Sequence, residues 1–244
     1  MYLDDYIFFL IAIGLCAIFS MVASISVRTT YSKYSKVPCR SGMSGYEAAA
    51  AIIRANKLYS INIGRVSGEL SDHYDPSREL VNLSDSTHSG RSVAAVAVAA
   101  HEMGHVMQKH TGYLFYRIRT AIVPVVRLAS YLAMPLVLIG LVIDYLSLSL
   151  DPELGFHVAM VGVLFYGGSL LFALVTLPVE LNASRRACRM LVDIGIIESG
   201  EVAGAKKVLA AAAMTYLASL LTSLVYFLRF LVRVLTMFGR RNDR

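Results

Sequence analysis

The feature that most constrains this chain is an uninterrupted apolar stretch close to its first residue. Residues 6–27 contain no charged side chain, and about 20 such residues are enough for a helix to cross a bilayer. Asp4 and Asp5 precede the stretch, whereas a secretory signal carries positive charge at that point. The residues that follow it are basic, and basic flanks stay in the cytoplasm. We therefore expect a retained membrane helix with its N-terminus outside.

Three further apolar stretches follow, over residues 120–143, 156–177 and 208–231. The composition agrees with a membrane location, because hydrophobic residues make up 56% and charged residues only 16% of the 244 residues. Soluble domains carry about 25% charged residues. Arg127 lies inside the second stretch, where an arginine is expected to reach the interface or point into the helix bundle. We predict a mainly α-helical, multi-pass membrane protein with four spans.

The distribution of charge predicts the topology. Residues 28–119 and 179–207 are rich in Lys and Arg and are expected in the cytoplasm. The loop between the second and third stretches holds Asp144, Asp151 and Glu153 but no Lys or Arg, so it is expected outside. Four complete spans then place a basic tail outside, against the rule that basic segments stay in the cytoplasm. Either the fourth stretch does not cross or the tail is an exception, and we favour crossing. The tail residues concerned are Arg240, Arg241 and Arg244.

Charge and cysteine content exclude two other classes of protein. The net charge is +6, but the basic residues flank apolar segments instead of clustering on a soluble face, so no nucleic-acid partner is expected. The three cysteines cannot all pair and show no C-x-x-C spacing. Neither a disulfide scaffold nor a thiolate zinc site is therefore predicted.

A section with soluble character separates the first two predicted spans. Ser44 and Glu47 form a capping box that predicts a helix ending near Asn56. The segments INIGRV, LSDHY and ELVNLS alternate polar and apolar residues between turn signals, which predicts a small antiparallel sheet. A further helix is predicted over residues 90–110, with Gly112 as its stop.

That last helix carries the motif His101-Glu102-Met103-Gly104-His105. Residues four apart on an α-helix project from one face, so both imidazoles can bind one ion. Glu102 lies beside them, where its carboxylate can accept a proton from a metal-bound water. This is the H-E-x-x-H arrangement of zinc peptidases. We predict a catalytic zinc site with His101 and His105 as ligands and Glu102 as the general base.

A catalytic zinc needs a third protein ligand. The metzincin extension requires glycine at 108 and histidine at 111, but the chain has Gln108 and Thr111. A thermolysin-like carboxylate some twenty residues on is also absent, because no Asp or Glu occurs between His105 and Asp144. The third ligand must therefore come from a later part of the chain.

Glu180 is the first carboxylate after the chain returns to the predicted cytoplasmic side, and we predict it as the third ligand. Asp193 is the reserve candidate, and an interfacial ion pair of Glu180 with a nearby arginine is the alternative. Neighbouring residues are candidates for orienting a ligand histidine or stabilising an oxyanion. These are Asn182, Ser184, Arg185, Arg186 and Tyr216.

The LSDHYDP segment offers another group of metal-ligand residue types. We interpret Asp72, His73 and Asp75 as turn and edge-strand residues and not as a second metal site.

The segments LSDHYDP, RSVAAVAVAAHEMGHVMQ, PVELNASRRA and AAAMTYLAS, in this order, resemble the bacterial membrane family of neutral zinc metallopeptidases, the YugP-like family. The resemblance covers roughly residues 28–220. It implies a membrane-embedded gluzincin-type peptidase, more distantly similar to the heat-shock protease HtpX and the CAAX prenyl protease. In that wider group the third zinc ligand is a glutamate on a later helix, which falls here on Glu180. The HtpX-like pattern has an aspartate four residues later, where this chain has Ser184.

The sequence therefore predicts a single membrane-embedded peptidase domain over residues 1–244, with one zinc ion per chain. The zinc would lower the pKa of its bound water, and Glu102 would accept the proton and pass it to the leaving amine. Membrane or juxtamembrane proteins are the expected substrates, cleaved at the cytoplasmic face of the cell membrane. A non-proteolytic membrane adaptor with a structural zinc is the alternative, and a transporter ranks below it.

Overall fold

The computed structural model describes residues 2–146 and 153–239, which are mainly helical. Seven helices and three strands follow one another along this part of the chain. They are α1 (Tyr2–Tyr34), α2 (Gly45–Ala55), β1 (Asn62–Val66), β2 (His73–Asp75), β3 (Leu80–Ser84), α3 (Asp85–Ser89), α4 (Val93–His110), α5 (Leu114–Leu146), α6 (Leu154–Asp193) and α7 (Ser199–Gly239).

Four of these helices, α1, α5, α6 and α7, are long and apolar enough to cross a membrane, which confirms the expectation of four such helices. Two of these helices contain prolines in their interiors. Helix α5 continues across Pro124 and Pro135, and α6 continues across Pro178. Proline is tolerated in membrane helices because neighbouring groups and local adjustments satisfy the freed carbonyls. Asp151 and the tail arginines Arg240, Arg241 and Arg244 lie outside the described residues.

The predicted antiparallel sheet is wrong in one pairing, because the three strands form a mixed sheet of order β1-β3-β2. Strand β3 pairs antiparallel with β2 but parallel with β1. Val81 and Leu83 of β3 are fully buried, so the last strand takes the centre and consecutive strands β1 and β2 become the two edges. Alternation of polar and apolar residues indicates which face of a strand is buried, but it does not encode the direction of its neighbour.

The chain divides into two compact units. One comprises residues 1–20, 118–176 and 217–244 and contains a small cluster of buried residues around Val137, Val163 and Val234. The other comprises residues 21–117 and 177–216. It contains the sheet, α2 to α4 and the larger core, which is described next because it positions the candidate site.

Helix α4 lies at the centre of that larger core. Its alanine-rich first half is almost entirely buried, which brings α2 and the ends of α6 and α7 into one cluster. Helix α4 begins at Val93, three residues later than predicted, because Gly90 is extended and Ser92 is the N-cap. The Ser92 hydroxyl accepts a hydrogen bond from the Ala95 amide at 3.2 Å. The predicted capping box of Ser44 and Glu47 is confirmed at the start of α2.

Candidate metal centre

Helices α4 and α6 bring three metal-ligating side chains together. His101 and His105 lie on consecutive turns of α4, and Glu180 lies on α6. The Nε2 atoms of His101 and His105 lie 3.2 Å and 3.4 Å from the same oxygen, Oε2 of Glu180. One ligand atom from each of the three residues lies within 4.8 Å of the others. Glu180 is 2% exposed, so this carboxylate is removed from water and faces the two imidazoles.

The donor set fits zinc. Two imidazole nitrogens and one carboxylate oxygen are ligands that zinc takes in catalytic sites, where it keeps a fourth position open. With bonds of about 2.0–2.1 Å in a tetrahedral arrangement, ligand atoms lie roughly 3.3 Å apart. The two nitrogen–oxygen distances of 3.2 Å and 3.4 Å match this spacing. Each imidazole nitrogen therefore lies at the distance from the Glu180 carboxylate that shared zinc ligation would give.

A glycine explains how close α6 comes to α4. A Cβ atom built on Gly104 would lie 2.5 Å from the carbonyl oxygen of Ala183, so the two backbones are in direct contact at this point. Any side chain at position 104 would force the helices apart. The glycine in the HEMGH motif therefore has a structural role of its own, because it lets Glu180 reach the histidines.

Gln108 holds His105 in place, a role that the sequence analysis did not predict. It is completely buried, and its Nε2 donates to the carbonyl oxygen of Val179 at 2.7 Å and to Oδ1 of Asn182 at 3.0 Å. Its Oε1 is therefore free to accept from Nδ1 of His105 at 3.0 Å. That hydrogen bond leaves the Nε2 lone pair of His105 available to a metal. The sequence feature that could have indicated this role is a side-chain amide three residues after a predicted ligand histidine, on the buried face of the same helix.

The predicted neighbours of Glu180 take different positions. The Ser184 hydroxyl lies 3.2 Å from Nδ1 of His101, where it supports the orientation of that ring. Asn182 accepts from Gln108 and from Nε of Arg186, and the Arg186 guanidinium lies 6.0 Å from the centre of the Tyr113 ring. Arg185 lines a separate cavity of about 400 Å³.

The surroundings of the histidines favour a cation. Burial disfavours the charged form of His105, but the hydrogen bond to Glu180 and the negative charge of Glu102 outweigh it and raise the pKa of His105. The same two carboxylates would stabilise a divalent ion at this position. Glu102 is itself 7% exposed, so its carboxylate lies inside the protein beside the ligand pair.

The remaining candidates lie as follows. Tyr216 lines a cavity together with His101 and Glu102. Asp193 ends α6 and is not among the described residues whose donor atoms gather at the centre. The Asp75 carboxylate accepts from the amides of Ser77 and Arg78 in the turn after β2.

Comparison with known proteins shows the family to which the chain belongs. The model of a family described as "Putative neutral zinc metallopeptidase" matches residues 8–235, and the chain belongs to this family. It is 41% identical over 213 residues to a protein of Bacillus subtilis (strain 168) named "Putative membrane protease YugP", covering 87% of this chain and 90% of that relative. No solved structure gives a significant match.

Proposed function

We propose that the chain is a zinc-dependent membrane endopeptidase with one zinc ion held by His101, His105 and Glu180. The observation that carries the proposal is the gathering of three ligand atoms within 4.8 Å beside the buried carboxylate of Glu102. Three protein ligands leave the fourth position open, as catalysis requires and a structural zinc site does not. Membership of the zinc metallopeptidase family and the similarity to the Bacillus relative support the same reaction class.

Zinc bound at this centre supplies Lewis acidity, which polarises a carbonyl and lowers the pKa of a water towards about 7. Glu102 would accept a proton from the water that attacks the scissile carbonyl carbon. Glu102 then delivers the proton to the amide nitrogen as the carbon–nitrogen bond breaks. Gln108 and Ser184 keep the imidazoles oriented through their Nδ1 atoms. Among the predicted oxyanion donors, Tyr216 is the one that shares a cavity with Glu102, so we assign it that role.

We place this centre at the cytoplasmic face, within a single peptidase domain over residues 1–244. The segments that carry it, residues 28–119 and 179–207, are the basic ones, and such segments stay in the cytoplasm. Glu180 lies within the long apolar helix α6, so the centre lies close to the bilayer surface. Membrane proteins or their juxtamembrane segments are the substrates that reach such a position.

The first test is the zinc content of the detergent-purified protein. We expect about one zinc per chain in the wild type, a sharp loss in Glu180→Ala, and retention in Asp193→Ala, which removes the reserve carboxylate from the end of the same helix. Zinc retained by Glu180→Ala and lost from Asp193→Ala would overturn the ligand assignment.

The second test separates catalysis from metal binding. Glu102→Gln keeps the side-chain volume but cannot accept a proton, so it should retain zinc and lose cleavage of a labelled casein substrate by about 10²–10⁴-fold. Cleavage at the wild-type rate would contradict the role of Glu102. A wild-type protein that binds zinc, cleaves nothing and unfolds when the metal is removed would favour the structural-zinc adaptor instead.

A further inference from the structure

A cavity of about 190 Å³ opens directly beside the proposed catalytic centre. His101 and Glu102 form one side of it, so any group that enters the cavity lies next to the atoms that react. The remaining walls come from α1, the loop between β1 and β2, and α7. All of the residues that line the cavity belong to the unit that contains the metal centre.

The walls away from the catalytic side are mainly apolar. Val98 lies one turn before His101 on α4, and α7 contributes Val208, Leu209 and Ala212. Leu70 from the β1–β2 loop adds to this lining. It is 39% exposed and has a φ of 54°, a left-handed conformation that is rare for leucine. The loop therefore holds an apolar side chain at the cavity in an unfavourable backbone conformation, which is typical of binding sites.

Two of the polar side chains at this cavity are already engaged. Both oxygens of Asp72 accept hydrogen bonds from Ser84, and one also accepts from the Thr87 hydroxyl at 3.2 Å. The Tyr31 hydroxyl donates to Ser86 at 2.9 Å. These groups fix the wall instead of awaiting a polar ligand. The Asp72 carboxylate still adds negative charge at the cavity, which already has Glu102.

We propose that this cavity binds the side chain of a residue flanking the scissile bond and selects apolar side chains between leucine and phenylalanine in size. This inference rests on the peptidase function proposed above. An apolar cavity of about 150 Å³ accommodates benzene, so 190 Å³ holds an isobutyl or benzyl group. The carboxylates of Asp72 and Glu102 exclude acidic side chains by like-charge repulsion.

The test uses N-acetylated amino-acid hydroxamates, which bind zinc and differ only in the side chain offered to the cavity. Isothermal titration of the zinc-loaded protein should give Kd values for the leucine and phenylalanine compounds at least about tenfold below that of the glycine compound. The aspartate compound should bind more weakly than glycine. Equal Kd values across the series would overturn the inference while leaving the zinc site intact. No binding of any compound, glycine included, would overturn the peptidase proposal and this inference with it.

Two neighbouring alanines of α7 provide a matched pair of variants. Ala212 lines this cavity, whereas Ala213 lines the separate 400 Å³ cavity. Ala212→Phe fills the site, so the ratio of glycine to leucine Kd values should fall to near one, and Ala213→Phe should keep the wild-type ratio. If Ala212→Phe does not fold, Val98→Ala enlarges the cavity instead and should shift the preference from leucine towards phenylalanine. An unchanged preference in the cavity variant that folds would refute the assignment.

Discussion

At the scale of single residues, the candidate centre depends on which nitrogen of each histidine faces the metal position. Gln108 donates both of its amide hydrogens to α6 acceptors, so only its oxygen remains for Nδ1 of His105. The Ser184 hydroxyl, also on α6, lies within hydrogen-bond distance of Nδ1 of His101. Both Nε2 atoms are thereby directed towards Glu180. The i,i+4 spacing predicts that the two rings share a face, but these partners determine which ring atoms meet.

Replacing Gln108 tests this arrangement. Gln108→Leu removes the acceptor for His105 while keeping a similar volume, so we expect zinc affinity to fall about 10–100-fold. His110→Ala is the matched control, because His110 is exposed at the end of the same helix. Competition with a chromogenic chelator measures both affinities. Equal affinities for wild type and Gln108→Leu would show that His105 keeps its orientation without the amide.

At the scale of secondary-structure elements, the closest approach of α4 and α6 is set by a residue without a side chain. The Cβ position of Gly104 lies 2.5 Å from the Ala183 carbonyl oxygen, and a backbone atom cannot rotate away. Ala183 lies one turn beyond Glu180 on α6. The contact therefore fixes both the spacing of the helices and the reach of the third ligand.

Gly104→Ala should separate the two helices at the metal centre. We expect destabilisation of about 1–3 kcal/mol from overpacking, together with weaker zinc binding. In the control Gly200→Ala, the added Cβ meets no atom within 4 Å, so stability should be unchanged or slightly higher, as expected for alanine in a helix. Thermal unfolding followed by circular dichroism compares the two. Equal melting temperatures for both variants would mean that α4 and α6 tolerate a wider spacing.

At the scale of the whole molecule, the charge distribution and the four long helices predict a topology. The basic segments carry the metal centre, and the sequence between the second and third membrane-length helices contains acidic residues but no Lys or Arg. Basic segments resist translocation, so the topology that we propose has the centre in the cytoplasm. Four crossings place the basic C-terminal tail outside, whereas its charge predicts a cytoplasmic position.

Alkaline phosphatase fusions expressed in a Gram-negative host test this topology, because the enzyme depends on disulfides that form outside the cytoplasm. We expect a fusion after Leu146 to be active and a fusion after Gly112 to be inactive. A fusion after Arg244 should be active if the fourth apolar helix crosses. Activity after Gly112 without activity after Leu146 would invert the orientation and place the metal centre outside.

The sequence alone determined what depends on local pattern. Apolar length predicted the four membrane-length helices, the Ser44–Glu47 spacing predicted the start of α2, and the ordered motifs indicated the family that the comparisons confirm. Each apolar stretch, the capping box and each single motif involve residues close together in the chain, so the chemistry of a short segment is sufficient to specify them.

Tertiary structure decided what depends on distant segments. Strand β3 pairs parallel with β1, against the antiparallel prediction, because burial of Val81 and Leu83 places β3 between the two edge strands. Glu180 and His101 are 79 residues apart in the chain. Exclusion of the metzincin and thermolysin-like ligand positions led to the prediction of this glutamate. Only the contact of α4 with α6 brings its carboxylate to 3.2 Å from the imidazole. Such distances are set by the packing of whole elements, which no local pattern encodes.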